Sequence, residues 1–278
     1  MKSDVKKILF YLLFTVSSPA MSQNLYVHPL PQETIRIDAK YLRPYFTWNA
    51  FVKMKTVTGL YDIFVNMPMV KNYNIYADIP IIVQAYDEQT HGSGIGNLYL
   101  GLHSRSDSLD KRYSSTSFGI FFPTITPNIA ALNFLGVYAS FQEPQKAMIN
   151  TLTLYANYVY LLGEHHRRYV GIEMGPQVYI PTKSSAGPVG LFLHYGFSGG
   201  YAVSKLVFTS ELLGLADLTS AYETFSERFD HSLVLAASFE ISGWRPTLFY
   251  QFVIDDQASQ IVNGILGINV SLNYKNFP

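Results

Sequence analysis

The sequence predicts an all-β protein, a transmembrane antiparallel β-barrel of about twelve strands (range roughly ten to fourteen), and three observations carry that expectation. Near the C-terminus, Leu266, Ile268, Val270, Leu272 and Tyr274 alternate with Gly267, Asn269, Ser271, Asn273 and Lys275, with Phe277 one residue from the end. That is a strand with one oily and one wet face. Charged residues make up 14% and aromatic residues 15% of the chain, with 21 Tyr, 19 Phe and 2 Trp. Soluble domains average about 25% charged residues, so this chain either has a very large core or shows apolar side chains to lipid. Beyond its leader no window is long and apolar enough for a spanning helix, which leaves strands closed into a barrel as the only way to satisfy every backbone group in lipid.

The elements follow in order. Lys2, Lys6 and Lys7 form a positive n-region, residues 8–16 an apolar stretch, and Ala20 and Ser22 a small-x-small pair before Gln23. Residues 1–22 read as a cleaved signal peptide, which sets the expected location as the bacterial outer membrane. Losing Lys2, Lys6, Lys7 and Asp4 turns a formal charge of zero into two net negative charges, and such a balance gives no footing to nucleic-acid binding. There is no cysteine, so neither a disulfide nor a lipid-modified cysteine anchors the exported chain. Residues 23–56 form an N-terminal segment, periplasmic or contributing up to two further strands through Ile35, Ile37, Tyr45, Phe46, Trp48 and Phe51. Residues 57–278 are assigned to the barrel.

Within the barrel, twelve alternating segments are expected at 57–67, 72–83, 96–105, 113–122, 132–142, 150–162, 168–180, 189–198, 202–213, 231–242, 245–254 and 262–274. The seventh is the clearest: Val170, Ile172, Met174, Val178 and Ile180 face one way, Tyr169, Glu173, Gln177 and Tyr179 the other. Pro176 cannot donate to the ladder and predicts a bulge. With the last strand running down to the periplasm, most short connections fall on the periplasmic side and most long ones outside, as such barrels require. Connections 84–95 and 124–131 break the rule, being long where turns are expected.

The alternation places Asp78, His103, Glu173, His194, Lys205, Glu211 and Glu240 on the lumen face, with Tyr76, Tyr99, Tyr138, Tyr155, Tyr169, Tyr179, Phe192 and Phe249. A polar yet aromatic lining can pass small amphiphilic molecules; the same charges can also pair across the lumen and fill it. His91, Gly92 and Ser93 with nearby Asn97 raise the possibility of a lipid-modifying enzyme, because an outer-membrane phospholipase uses Ser, His and Asn; a glycine-rich connection is more often a turn. His165, His166, Arg167 and Arg168 form a basic cluster on a short turn, better suited to an interface than to a metal. No residue is assigned a catalytic or metal-binding role, and no cofactor is expected.

Residues 78–82 (Asp-Ile-Pro-Ile-Ile), 94–102 (Gly-Ile-Gly-Asn-Leu-Tyr-Leu-Gly-Leu) and 121–124 (Phe-Phe-Pro-Thr) resemble the pattern of outer-membrane transporters of the meta-pathway phenol-degradation type. Asn97 stands where that family usually has Asp, and Ile125 where it has Gly. The resemblance covers residues 72–125 and implies a channel for hydrophobic substrates without catalytic residues. The expected function is a passive channel for small solutes, hydrophobic or aromatic ones among them; the alternatives are a phospholipase-like enzyme and a closed structural or assembly barrel. The expected partners are membrane lipid, a small-molecule solute and, through the C-terminal strand, the barrel-assembly machinery.

Overall fold

The computed structural model describes residues 34–47, 54–70, 72–85, 91–108, 112–125, 130–164, 168–184, 187–219, 226–241 and 243–275. Residues 1–22, Trp48, Phe51, His165, His166, Arg167 and Phe277 lie outside the described residues.

The strands are β1 (Thr34–Phe46), β2 (Gly59–Val70), β3 (Tyr73–Ala85), β4 (His91–Ile95), β5 (Leu98–Ser108), β6 (Arg112–Phe122), β7 (Thr151–Glu164), β8 (Arg168–Pro181), β9 (Gly190–Val203), β10 (Leu206–Asp217), β11 (Phe229–Phe239), β12 (Trp244–Val253) and β13 (Val262–Lys275). All pairings are antiparallel between neighbours, and β1 closes the sheet by pairing with both β2 and β13. Short β4 pairs with the end of β3 (Ile81↔Ile95 to Ala85↔His91), whereas β5 pairs with its beginning (Tyr73↔Ser104 to Asp78↔Tyr99). The two are therefore halves of one wall strand, broken at Gly96 and Asn97, and the barrel has twelve strands.

Period-two burial decides which face is which. In β8 exposed and buried residues alternate without a slip from Arg168 to Gln177. Val170, Ile172, Leu248 and Ile268 stand exposed on the outer face, while Glu173, Gln177, Asn269 and Ser271 are buried within. A wall that is apolar outside and polar inside has the polarity of a barrel built for lipid.

The count of twelve agrees with expectation through two compensating differences. Residues 132–142, read as a strand, lie largely in a helix, α1 (Ala130–Ala139), because the short apolar run fits either period. Phe134 and Tyr138, four apart, lie against each other at 4.6 Å between ring centroids with their planes tilted by 52°, and Leu135 and Ala139, also four apart, are buried. The missing strand is β1, from within residues 23–56. Moving one strand across the chain restores the topology: residues 71–72, 109–111, 165–167, 204–205 and 240–243 now connect strands at one end, and 47–58, 86–90, 123–150, 182–189, 218–228 and 254–261 at the other. The connections that broke the rule both belong to the long-loop end. In the two-residue turns, Asn72 (φ 70°) and Ser204 (φ 57°) adopt the left-handed backbone that tight hairpins need.

Pro176 brings no bulge. The β7–β8 ladder skips Ala156 and Asn157 against Gly175 and Pro176, yet holds the same register on either side. Gly175 allows the close approach there, since a Cβ on it would lie 2.0 Å from the Ala156 carbonyl oxygen.

Leu248, fifth of the ten residues of β12, faces outward with 55% of its surface exposed. Leu248→Arg is expected to destabilise the inserted barrel by about 2–4 kcal/mol, the cost of a cation near the bilayer midplane, as read from urea titration in lipid vesicles.

Candidate functional site in the barrel lumen

The connection between β6 and β7 turns into the barrel. Its inner face presents Ile125, Leu135, Ala139, Phe141 and Ala147, which pack into one buried apolar cluster with inward residues of β1 (Leu42), β2 (Leu60), β3 (Ile82), β10 (Leu213), β11 (Val234), β12 (Phe249) and β13 (Ile265). These positions follow the wall's alternation, but at the long-loop end the inward residue is apolar. A water-filled lumen would not call for that; a plug with an oily face does.

The plug is fixed by charge as well. Lys146, in the 3₁₀ turn Pro144–Lys146, is buried to 3% side-chain exposure. Its Nζ donates to Asp62 Oδ2 at 2.8 Å and lies 2.8 Å from Asp78 Oδ2 and 3.0 Å from Glu143 Oε2. Lys40 of β1 joins from the wall, 3.2 Å from Asp62 and 3.6 Å from Glu143. Burial alone would lower the Lys146 pKa; the carboxylates of Asp62, Asp78 and Glu143 outweigh it and hold the ammonium well above its ordinary value.

Where β4 gives way to β5, the wall accepts the plug backbone. The Asn97 N–H donates to the Lys146 carbonyl at 2.8 Å, and its amide Nδ2 donates to the carbonyls of Gln145 (2.8 Å) and Met148 (2.7 Å). Asn97 Oδ1 accepts from the Ile125 N–H at 3.2 Å, so one side chain binds both ends of the plug. A Cβ on Gly96 would lie 2.5 Å from the Lys146 carbonyl oxygen, which accounts for glycine beside Asn97.

Of the expected lumen residues, Asp78, His103, Glu173, His194 and Glu211 are buried inside the wall. Asp78 is a plug anchor. His194 stacks on Tyr155 at 4.9 Å and bonds to Tyr155 Oη through Nε2 (3.2 Å) and to Gln177 Nε2 through Nδ1 (3.2 Å). The Gln177 amide can only donate to Nδ1, which assigns the ring proton to Nε2. Tyr179 donates to Gln177 Oε1 at 2.8 Å and to Gln145 Oε1 at 3.3 Å, carrying the network onto the plug. His103 meets the buried Tyr76 ring edge-on at 5.3 Å. Glu173 pairs across the ladder with Gly196, and Glu211 lies beyond it on β10.

Lys205 and Glu240 are corrections. Lys205 sits in the turn between β9 and β10, and Glu240 follows the end of β11 with 62% of its side chain exposed. β10 begins after Lys205 and β11 ends before Glu240, and turn positions escape the alternation. The Ser-His-Asn grouping does not assemble: Ser93 is exposed, whereas Asn97 is buried and held by the plug. Of Lys146, Lys40, Asp62, Arg36 and Arg245, which line the interior unremarked by the sequence reading, Arg245 was within reach of it, since it shares the inward period of Thr247, Phe249 and Gln251.

One polar cluster lies on the outer face near the long-loop end. Tyr195 and His231 flank Gly214 on a single rung. Tyr195 Oη is 2.6 Å from His231 Nε2, and His231 Nδ1 is 3.3 Å from Asp255 Oδ1.

No family model matches the sequence, and no curated protein matches it. Among solved structures, the barrel is similar to the COG4313 outer membrane channel from Pseudomonas putida F1, with a TM-score of 0.62 and 9% identity over 91% of this chain and 100% of that one. It is also similar to the NanC porin, with a TM-score of 0.51 and 8% identity over 86% of this chain and 98% of that one. At these identities the likeness is one of fold: a closed twelve-stranded barrel of the outer-membrane type.

Lys146→Met should destabilise the folded barrel by about 3–5 kcal/mol, because it leaves Asp78 buried without its cation and Asp62 with Lys40 alone. Adding Asp62→Asn and Asp78→Asn should recover part of that loss in the same urea titration. A lysine whose pKa is raised by folding keeps its contribution below its unfolded value of about 10.4 and loses it only as pH climbs through the folded value. The Lys146 contribution, measured as the difference between wild type and a Lys146→Met, Asp62→Asn, Asp78→Asn protein in which neither aspartate can titrate, is therefore expected to be equal at pH 7 and pH 9.

Proposed function

We propose that this protein resides in the outer membrane of a Gram-negative bacterium and serves as a channel for small solutes of hydrophobic or aromatic character, closed at its outer end by residues 123–150. The signal peptide would export the chain, and the alternating C-terminal strand would present it to the barrel-assembly machinery. In this orientation the short turns are periplasmic and the plug enters from outside.

One observation carries the reading. The lumen is blocked by a segment that holds to the wall through apolar packing, side-chain ion pairs and loop hydrogen bonds, with no strand pairing among its described residues, so it can leave without breaking the ladder. A purely structural barrel has no need of such a separable block. Tyr76, Tyr155, Tyr179 and His194, buried in the closed barrel, would offer ring surface and hydrogen-bonding groups to an amphiphilic solute once the plug leaves.

Single-channel recording in planar bilayers tests it. Wild-type protein should show small or rare openings, and Lys146→Ala should raise the open probability several-fold while heat-resistant migration on gels is retained. A barrel that stays silent in both forms would leave the structural reading in its place.

A second reading, a lipid-modifying enzyme, draws on the Asp255, His231 and Tyr195 chain, whose order of contacts is that of an activated nucleophile. Phospholipid hydrolysis by wild-type protein that vanishes in His231→Ala would favour it. The channel reading expects no hydrolysis in either.

A further inference from the structure

At the short-turn mouth of the lumen one guanidinium is poorly matched. Arg245, second residue of β12, points inward with only 10% of its side chain exposed. Its Nε and Nη2 are buried with no hydrogen-bond partner. Its nearest acid, Glu240, is 4.0 Å from Nη1 and turned largely to solvent. Guanidinium donors held out of water and left unmatched are costly, and a planar fork of donors is suited to a carboxylate.

The neighbouring cation is already satisfied. Arg36 of β1 donates through Nε to Asp38 at 2.9 Å and through Nη2 to Ser271 Oγ at 3.2 Å. Ser271 is the rung partner of Arg245 on one side and of Asp38 on the other, so Arg36, Ser271 and Arg245 share one patch of wall. With Arg36 paired to Asp38, Arg245 is left with Glu240 alone, at 4.0 Å, and with two donors unmatched.

Apolar surface adjoins it. Tyr169 lies within electrostatic reach of Arg245 and belongs to a buried cluster with Tyr113, Val159 and Leu161. Glu211, also within reach of Tyr169, places an acid on the far side that would disfavour a second carboxylate.

We propose that Arg245, supported by Arg36 and Ser271, forms a carboxylate-binding subsite at the periplasmic mouth, selecting solutes with one carboxylate on an apolar body. The proposal rests on the lumen being a solute path and names the class of solute. The carboxylate would take the free donors of Arg245, and the apolar body would lie on the Tyr169 and Leu161 side.

Calorimetric titration of the full-length protein in detergent tests this with benzoate, benzyl alcohol, phthalate and inorganic phosphate. Benzoate should bind tightest, and Arg245→Gln should weaken it about tenfold or more, the loss expected for a charge-assisted pair, with Arg245→Lys intermediate. Benzyl alcohol should be indifferent to Arg245→Gln, and heat-resistant migration on gels should show each variant folded. Equal benzoate affinity in wild type and Arg245→Gln, or phosphate or phthalate binding as tightly as benzoate, would overturn the proposal. Arg245-dependent benzoate binding by a protein silent in bilayers would uphold the subsite and remove the channel. A conducting protein whose benzoate affinity ignores Arg245 would do the reverse.

Discussion

The structure depends on the ladder between β1 and β13, which joins the first strand to the last from Thr34↔Lys275 to Phe46↔Val262. Without it the sheet has two free edges, and in lipid each unpaired backbone group costs several kcal/mol. Closing it fixes which face of every strand turns inward. A one-residue slip anywhere would exchange Glu173 with Ile172 or Asn269 with Ile268 and put amide or carboxylate against lipid. The polar interior is thus a consequence of closure and pleat together.

What fills the interior varies along its length. At the long-loop end the wall turns apolar side chains inward and receives the plug's Leu135, Ala139 and Phe141. Further in, charged and amide groups predominate, and the Lys146, Asp62, Asp78 and Glu143 cluster marks the join. A buried ion cluster adds little net stability compared with apolar packing of similar volume, but it is intolerant of losing one member. Such a junction specifies where the plug sits more than how strongly it is held, a property suited to a removable block.

Much of the wall was legible in the sequence because alternation is a local signal. β8 was read as 168–180 and runs Arg168–Pro181; β13 was read as 262–274 and runs Val262–Lys275. Alternation fails where two periods compete over ten residues, as in α1, and where a turn lies a few residues from its expected place, later at Lys205 and earlier at Glu240. The plug's anchors were out of reach for another reason. Lys146 meets Asp62 across 84 residues of chain, and nothing local marks a lysine in Pro-Gln-Lys as the partner of an acid four wall strands back. Asn97 shows the same limit: its amide, considered beside a nearby serine and histidine, serves to fasten two ends of a distant loop.

The distribution of the plug's contacts bears on the order of assembly. Its ion pairs and its hydrogen bonds to Asn97 are to β1, β2, β3 and the β4–β5 break, all made earlier in the chain than the plug itself, and only weaker bonds reach Tyr179 and Asp230 on later strands. Much of its apolar seat comes from β10 to β13, which are made last. Residues 123–150 can therefore be tethered while the sheet is still open, but their oily side is covered only when the final strands arrive. During insertion the half-seated segment offers those strands an apolar surface to condense on, so that one loop acts as a template for the far wall before it serves as a stopper.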